Sequence, residues 1–222
     1  MKDRVLEERK FWDSFANKYD GFIRKRVSKS YDKLFQKLRS DTINCHNLLE
    51  IGTGTGLISI ELSGQISNIT AIDISPNMIE VAKSKAMKQK ITNIDFQVGD
   101  SYNLNFSNAS YDSVVASNVL HLLFEPEKAL QEMKRVLKVN GKIIIPTYCH
   151  GQNIRSLLIS RFMGAFGFKV RNRWSIKTFK CFVEKNGLKI EDSDVLKDIL
   201  PMVYIRAIPQ DLDTVPKIVY TV

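Results

Sequence analysis

The stretch NLLEIGTGTGLIS, residues 47–59, decides the fold, because an apolar run ends in an acid and glycines follow at every second position. The apolar run predicts a strand, and the glycines predict a tight loop that leads into a helix. A second apolar run, residues 69–73, also ends in an acid, Asp73. A doubly wound sheet places an acceptor of ribose hydroxyls at this position. The two runs together predict a nucleoside-binding crevice.

The spacing of the glycines indicates which nucleoside is bound. A dinucleotide-binding loop follows the pattern G-x-G-x-x-G, and its third glycine lets the first helix pack close to the strand. Here Leu57 occupies that third place, and the glycine stands one position early at Gly56. Glu50, next to last in the predicted strand, would repel a pyrophosphate but suits a ligand with a cationic end. The pattern disfavours an NAD(P)-dependent oxidoreductase, which stays open as an alternative.

The motif E-x-G-x-G-x-G, followed by the terminal acid of the second strand, resembles motifs I and II of class I S-adenosylmethionine-dependent methyltransferases. Three further segments resemble later motifs of that family in the same order: VGDS (98–101), YDSVVASN (111–118) and LKVNGKIII (137–145). The motifs cover residues 45–148, and the pattern most resembles the small-molecule branch, near the ubiquinone, menaquinone and phospholipid methyltransferases. The resemblance implies methyl transfer from S-adenosyl-L-methionine, with S-adenosyl-L-homocysteine as product, to a small hydrophobic or membrane-derived acceptor.

Apolar runs and helical segments alternate along the chain, which predicts an α/β fold with a parallel sheet between helices. The predicted strands are 47–51, 69–73, 94–98, 111–116 and 142–147, and two closing strands follow at 188–195 and 202–208. Pro76 and Pro126 predict helix starts. The resemblance implies a Rossmann-like doubly wound sheet of seven strands, ordered 3-2-1-4-5-7-6 with strand 7 antiparallel. We expect one domain over 1–222, comprising a helical cap (1–44), a cofactor-binding core (45–148), a helical insert over the acceptor site (149–187) and closing strands with a tail (188–222).

The resemblance also implies residues for the cofactor site. Asp73 would accept both ribose hydroxyls, Ile74 and Met78 would flank the adenine ring, and Asp100 would receive its exocyclic amine. An acid at a strand end can instead cap the following helix. Tyr19 resembles a tyrosine that folds over the methionine carboxylate, and as an alternative it is a core aromatic of the cap. The implied set is Tyr19, Glu50, Gly52, Thr53, Gly54, Gly56, Asp73, Ile74, Met78, Asp100, Ser101 and Asn118.

Three residues just after the fourth and fifth strands are candidates for a base or an acceptor-orienting group: His121, Tyr148 and His150. Structural roles for all three stay open. The turn after the fourth strand, residues 117–121, lacks the Asn/Asp-Pro-Pro-aromatic pattern of base amine methyltransferases, and no Pro-Cys or Thr-Cys turn appears there. Nucleic acid is therefore disfavoured as the acceptor. A non-catalytic module that binds adenosylmethionine or adenosylhomocysteine remains a second alternative.

The net charge of +9 is concentrated in two regions. Residues 1–40 carry +6 and residues 151–187 carry +7, whereas the rest of the chain is slightly acidic. In the family's layout both regions lie over the acceptor pocket, so a basic rim would attract anionic partners, including an anionic membrane. A solvated lysine-rich surface is the alternative.

Within the insert, apolar residues recur at helical spacing: Ile154, Leu157, Leu158, Phe162, Ala165 and Phe166. Such a stripe predicts packing on the domain core. The alternatives are a helix that lies in a membrane interface and a lid over an apolar acceptor.

The three cysteines, Cys45, Cys149 and Cys181, lack metal-ligand spacing, so free thiols and no metal site are expected. The N-terminus is too charged for a secretory signal, and no apolar run approaches the ~20 residues that span a bilayer. We therefore expect a cytoplasmic protein with a small-molecule acceptor.

Overall fold

In a computed structural model of the chain, residues 2–26, 28–165, 168–197 and 199–210 are described. The helices are α1 (Lys2–Arg26), α2 (Ser28–Asp41), α3 (Leu57–Leu62), α4 (Pro76–Lys88), α5 (Pro126–Val136), α6 (Ile154–Ala165) and α7 (Ile176–Lys185), with a 3-10 turn at Leu120–Leu122. The strands are β1 (Asn47–Ile51), β2 (Asn68–Asp73), β3 (Ile94–Val98), β4 (Tyr111–Val115), β5 (Leu137–Ile144), β6 (Thr147–Tyr148), β7 (Leu188–Leu196) and β8 (Met202–Pro209).

The eight strands form one sheet in which β3, β2, β1, β4 and β5 are parallel neighbours. Strand β8 runs antiparallel beside β5 and β6, and β7 pairs with β8 along its length. Because β5 and β6 pair with successive parts of β8, they share one position in the sheet. Pro146, which has no N–H to donate, lies between them. The predicted Rossmann-like order with an antiparallel last strand is confirmed.

The fifth strand begins earlier than the sequence predicted. Helix α5 ends at Val136 and the chain enters β5 at Leu137, which pairs with Tyr111, whereas the strand was predicted to begin at residue 142. A register shift between Tyr111 and Ser113 accommodates the added residues. An added Cβ on Gly141 would lie 2.7 Å from the Leu137 side chain, so the glycine permits this tight path.

Apolar side chains cover both faces of the sheet, as the near-continuous apolar strands predict. Leu48 and Leu49 of β1 are fully buried, and they belong to the core clusters on opposite faces. Strand β1 leads through the glycine loop into α3, β2 leads into α4, and β4 leads into the 3-10 turn before α5. Helix α4 begins as Pro76 predicted, and the Ser75 hydroxyl caps it by accepting the Met78 N–H at 3.1 Å. The fold therefore brings the carboxyl ends of β1, β2 and β4 to one edge.

The orientation of helix α6 differs from the one predicted for the insert. Its apolar stripe faces outward, since Ile154, Leu158 and Phe162 are 78%, 61% and 67% exposed, whereas Ser156 and Ser160 are buried. Packing of the stripe on the core is thus wrong for these residues, and Phe166 lies outside the described part. No described helix has the length and apolar character needed to cross a membrane.

Cys45 and Cys149 are buried and Cys181 is exposed, and all three are free. Within the described ranges, no group of three or more metal-ligating side chains comes together.

Candidate active site

Glu50 holds the glycine loop to the helix that follows it. Its Oε2 accepts the Thr53 hydroxyl at 2.7 Å, the Ser59 backbone N–H at 3.1 Å and the Ser59 hydroxyl. Burial raises the pKa of the carboxyl to about 7. The acid therefore holds Thr53 of the loop to Ser59 of α3.

Two glycines of the loop are required by close approach. Gly52 has φ +67°, and an added Cβ would lie 2.3 Å from Val119 Cγ2 after β4. Gly56 has φ +77° and packs against Phe96 and Ala82, where an added Cβ would lie 3.0–3.1 Å from both side chains. A Cβ on Gly54 would meet only Tyr19, at 3.9 Å. Gly52 therefore makes room for Val119, Gly54 leaves its backbone accessible to a ligand, and Gly56 lets the loop pack against Phe96 and Ala82.

Asp73 lies at the end of β2 with both carboxylate oxygens hydrogen-bonded to backbone. Oδ2 accepts the Gly54 N–H at 2.8 Å, and Oδ1 accepts the Ser75 N–H at 2.9 Å. Burial raises its pKa to about 6, and Asp13 adds a repulsive contribution. Asp73 also lines the cavity, and because a carboxylate oxygen accepts two hydrogen bonds, the carboxylate retains capacity to accept hydrogen bonds from a ligand.

Helix α1 lies across this edge of the sheet. Asp13 accepts the Ser75 hydroxyl at 2.6 Å, and Asp20 forms an ion pair with Lys85 of α4 at 2.6 Å. These contacts place Tyr19 beside Gly54 in the cavity wall. Burial raises the pKa of Tyr19 well above its usual range, so its hydroxyl stays protonated.

A cavity of about 550 Å³ opens between α1 and the carboxyl ends of the strands. Eight residues of the predicted site line it: Tyr19, Gly52, Gly54, Asp73, Ile74, Met78, Ser101 and Asn118. Seven others lie outside its lining: Glu50, Thr53, Gly56, Asp100, His121, Tyr148 and His150. Asp100 is adjacent to the lining through its neighbours Gly99 and Ser101, but its carboxylate is paired with Arg4 of α1 and also accepts the Tyr102 N–H. Its adenine contact stays a prediction.

The two histidines form a buried pair behind the cavity. The ring centroids of His121 and His150 lie 4.9 Å apart, and both residues are 1% exposed. Among the described residues, none of the four ring nitrogens has a hydrogen-bond partner. Burial lowers the pKa of both rings, to about 4 for His150, and proximity to His150 lowers that of His121 further. Both imidazoles are therefore neutral at physiological pH.

Tyr148 lies next to the pair, 6.5 Å from His150 between ring centroids. Its backbone N–H donates to Asn118 Oδ1 at 3.1 Å, and Asn118 has φ +57°. Asn118 thus joins the end of β4 to β6 while it lines the cavity.

Aromatic side chains that the sequence analysis did not assign to the site form much of the cavity wall. Phe168 lies 5.8 Å from Phe11 and 5.7 Å from Trp12 between ring centroids. The same ring lies 6.4 Å from His121 and 6.3 Å from His150. Phe11, Phe15 and Tyr19 recur every fourth residue, which indicates an aromatic face on α1. Nothing near Phe168 in the sequence indicates that its ring contacts this face.

The segment that carries Phe168 is tied to the turn after β4. The carbonyl oxygen of His121 accepts the N–H groups of Arg171 and Asn172, both at 3.0 Å. The Asn172 side chain donates to the Leu123 carbonyl at 2.7 Å. Phe168, Lys169 and Arg171 line the cavity beside α1, where Lys169 and Arg171 pair with Glu7 at 3.0 and 2.9 Å.

Residues 44–175 match the family model described as a methyltransferase domain, which is more than half of the chain. The chain belongs to the class I S-adenosylmethionine-dependent methyltransferases. This methyltransferase is 28% identical over 178 residues to a demethylmenaquinone methyltransferase of Paenarthrobacter aurescens (strain TC1), covering 77% of this chain and 68% of that protein. It is 28% identical over 141 residues to the ubiquinone/menaquinone biosynthesis C-methyltransferase UbiE of Geotalea daltonii (strain DSM 22248 / JCM 15807 / FRC-32), covering 60% of each.

The solved DhpI–SAH complex resembles this methyltransferase in fold, with a TM-score of 0.73, 17% identity and coverage of 95% of this chain and 98% of that chain. The cofactor of the family is S-adenosylmethionine, and the cavity fits it on two counts. The buried carboxylate of Asp73 lines the cavity at the end of β2. At Gly54 the backbone is open to the cavity, since an added Cβ there would meet only Tyr19, at 3.9 Å.

Proposed function

We propose that this methyltransferase transfers the methyl group of S-adenosylmethionine to a small hydrophobic acceptor. The observation that carries the proposal is the wall made by Phe11, Trp12 and Phe168, whose rings meet edge to face across the cavity. Aromatic surfaces of this kind bind flat apolar molecules through burial and ring contacts. Leu122 and Leu123 extend the apolar lining.

The names of the relatives support a ring-bearing acceptor. They are methyltransferases of demethylmenaquinone and of ubiquinone and menaquinone biosynthesis. We propose the reduced form of such a quinone as the first acceptor class to test, because a hydroxyl-bearing ring is electron-rich enough to attack a methyl group and the oxidised quinone is not.

The chain's own residues would then position both substrates. Asp73 would accept the ribose hydroxyls, Gly52 and Gly54 would admit the methionine part, and Ile74 and Met78 would enclose the adenine. When bound, the sulfonium supplies an activated methyl group, so catalysis depends mainly on alignment of the acceptor with it.

The histidine pair would orient the polar end of the acceptor. A neutral imidazole both donates and accepts a hydrogen bond, and leaving such groups buried without partners costs free energy. With its pKa lowered to about 4, His150 is a weak base, so orientation rather than proton removal is its proposed role. Because the Phe168 ring lines the cavity and the histidines do not, this role requires the ring to change rotamer as the acceptor enters.

Transfer of a labelled methyl group from S-adenosylmethionine tests the proposal. The panel is a short-chain demethylmenaquinol, its oxidised quinone, a phospholipid amine and an RNA. We expect an apolar acceptor to be methylated, and Trp12→Ala or Phe168→Ala to raise its KM about tenfold or more through lost ring contacts. Phe35→Ala, a half-buried aromatic on α2 beside Tyr31, is the matched control. Cofactor binding without transfer to any acceptor would indicate a non-catalytic module, and methylation of RNA alone would overturn the acceptor class.

A further inference from the structure

The outward face of α6 has the composition of an interface rather than of a solvated surface. Ile154, Leu158 and Phe162 recur every fourth residue and are 78%, 61% and 67% exposed. The inward face carries buried serines instead. Ser160 accepts a hydrogen bond from Arg173 Nε at 3.2 Å, whereas the Ser156 hydroxyl donates locally to Asn153, just before the helix, at 3.0 Å. The small serines therefore face the domain, and the large apolar residues face outward.

The charges that α6 and the segment after it carry are all positive, and the nearby acid Glu7 of α1 is paired with Lys169 and Arg171. Arg155 and Arg161 are the only charged residues of α6, and both are exposed. Residues 151–175 contain no acid at all. An arginine among exposed apolar side chains can bury its stem beside them and keep its guanidinium at an anionic headgroup. A protein partner would also meet the apolar residues, but two exposed arginines on an apolar helix that carries no acid favour an anionic surface.

The side of α6 that faces the domain lies next to the methyl-transfer cavity. Gly164, near the end of α6, lines a second cavity of about 420 Å³ together with Phe168, Lys169 and Arg171. These last three residues also line the large cavity. Arg171 lies over the ring of Phe124, which is 42% exposed and lines the second cavity as well. Helix α6 therefore lies beside the entrance of the large cavity, and a bilayer docked on its outward face would be close to that entrance.

We propose that the outward face of α6 docks on an anionic lipid bilayer and places the mouth of the cavity at its surface. The helix has 12 residues, and a helix of that length extends about 18 Å, which is too short to cross the hydrocarbon core, so it lies parallel to the surface. The docking does not rest on the proposed reaction, because it needs only this face and anionic lipid.

Vesicle binding of the full chain tests the docking. We expect the protein to float with vesicles of phosphatidylglycerol and phosphatidylcholine at low salt, and to remain unbound with phosphatidylcholine alone. Leu158→Ser with Phe162→Ser should lower the partition coefficient by at least about tenfold, because two apolar side chains leave the interface. Arg155→Gln with Arg161→Gln should lower it several-fold and reduce its salt dependence.

Two matched controls carry the same chemical changes on other surfaces. Met87→Ser with Val139→Ser removes side chains that are 74% and 88% exposed outside α6. Lys83→Gln with Lys88→Gln removes two charges from α4. Both controls should bind vesicles like the unaltered protein, and all variants should keep the affinity for adenosylhomocysteine in solution, which shows that they are folded.

Several results would overturn the docking. The first is failure of the unaltered protein to bind anionic vesicles at low salt, and the second is unchanged binding of the Leu158→Ser, Phe162→Ser variant. A concentration-dependent dimer that the same variant abolishes, without vesicle binding, would assign the face to a second copy of the chain. Vesicle binding without methyl transfer to any acceptor would leave the docking intact and contradict only the proposed function.

Discussion

Asp73 Oδ2 accepts the backbone N–H of Gly54 at 2.8 Å, which joins the end of β2 to the glycine loop after β1. The carboxylate thus holds the loop while it also lines the cavity. Its burial raises its pKa to about 6, so the charge on which this arrangement depends is lost under mildly acidic conditions.

Cofactor affinity should therefore depend on pH through Asp73. In the proposed site the ionised carboxylate accepts ribose hydroxyls, and the protonated form loses part of that capacity. With a pKa of about 6, the ionised fraction falls about tenfold from pH 7 to pH 5, and the affinity for S-adenosylhomocysteine should fall with it. Calorimetric titration across this range measures the effect. Asp73→Asn should bind weakly with little pH dependence, and an equal slope in the variant would assign the effect to another group.

Gly52→Ala should lower the free energy of unfolding, because the glycine loop packs closely on the turn after β4. The new Cβ would lie 2.3 Å from Val119 Cγ2 at a φ of +67°, and such a clash with strain costs about 2 kcal/mol or more. Urea unfolding checks this, with Gly64→Ala as control because an added Cβ there meets nothing within 4 Å. Adding Val119→Ala should recover the part of the loss due to the clash. Equal stability of Gly52→Ala and Gly64→Ala would contradict the close approach.

Glu50→Gln should remove a pH dependence of stability. Burial raises the pKa of Glu50 in the folded state from 4.5 to about 7. A raised folded pKa gives stability that is fully present below pH 4.5 and is lost as pH rises through 7. The free energy of unfolding of the unaltered protein, relative to Glu50→Gln, should fall by about 3 kcal/mol between pH 5 and pH 8. Denaturant unfolding at several pH values measures this difference, and a constant difference would show that the carboxyl is not perturbed.

His121→Ala and His150→Ala should each lower kcat with the proposed acceptor, by about tenfold to a hundredfold, because they remove an orienting hydrogen bond. The affinity for S-adenosylhomocysteine should not change. His46→Ala, at the exposed third histidine, is the control. Because the pKa of both buried histidines is lowered, kcat should show no inflection near pH 6.5. Such an inflection, present in the unaltered protein and absent in both variants, would indicate proton transfer instead.

Much of the fold could be predicted because its signals are local. The apolar run of β1 and the glycines after it define a strand and a loop within thirteen residues, and Pro76 with Ser75 defines the start of α4. Strand order was implied by the resemblance, since pairing across the sheet leaves no mark in a single sequence. The position of Asp73 at the cavity could be predicted as well, because the carboxyl ends of parallel strands meet at one edge of the sheet.

The parts that could not be predicted depend on contacts between distant residues. The pairing of Asp100 with Arg4 joins positions 96 residues apart. The contact of the Phe168 ring with Phe11 of α1 also joins residues that are distant in the sequence. The orientation of α6 was predicted wrongly because the usual rule buries the apolar stripe. Here the small polar side chains Ser156 and Ser160 fit against the domain instead.

A calorimetric titration would show whether this cavity is the adenosylmethionine site. The ligands are S-adenosylmethionine, S-adenosylhomocysteine, NADH and NADPH, and each is added to the unaltered chain and to Asp73→Ala. We predict that the first two ligands bind and the nicotinamides do not. Asp73→Ala should weaken binding by about 1 to 3 kcal/mol, the range for hydrogen bonds to a charged group, while Asp95→Ala, an exposed acid on β3, leaves it unchanged. Binding of the nicotinamides alone, or unchanged affinity in a folded Asp73→Ala variant, would contradict the account.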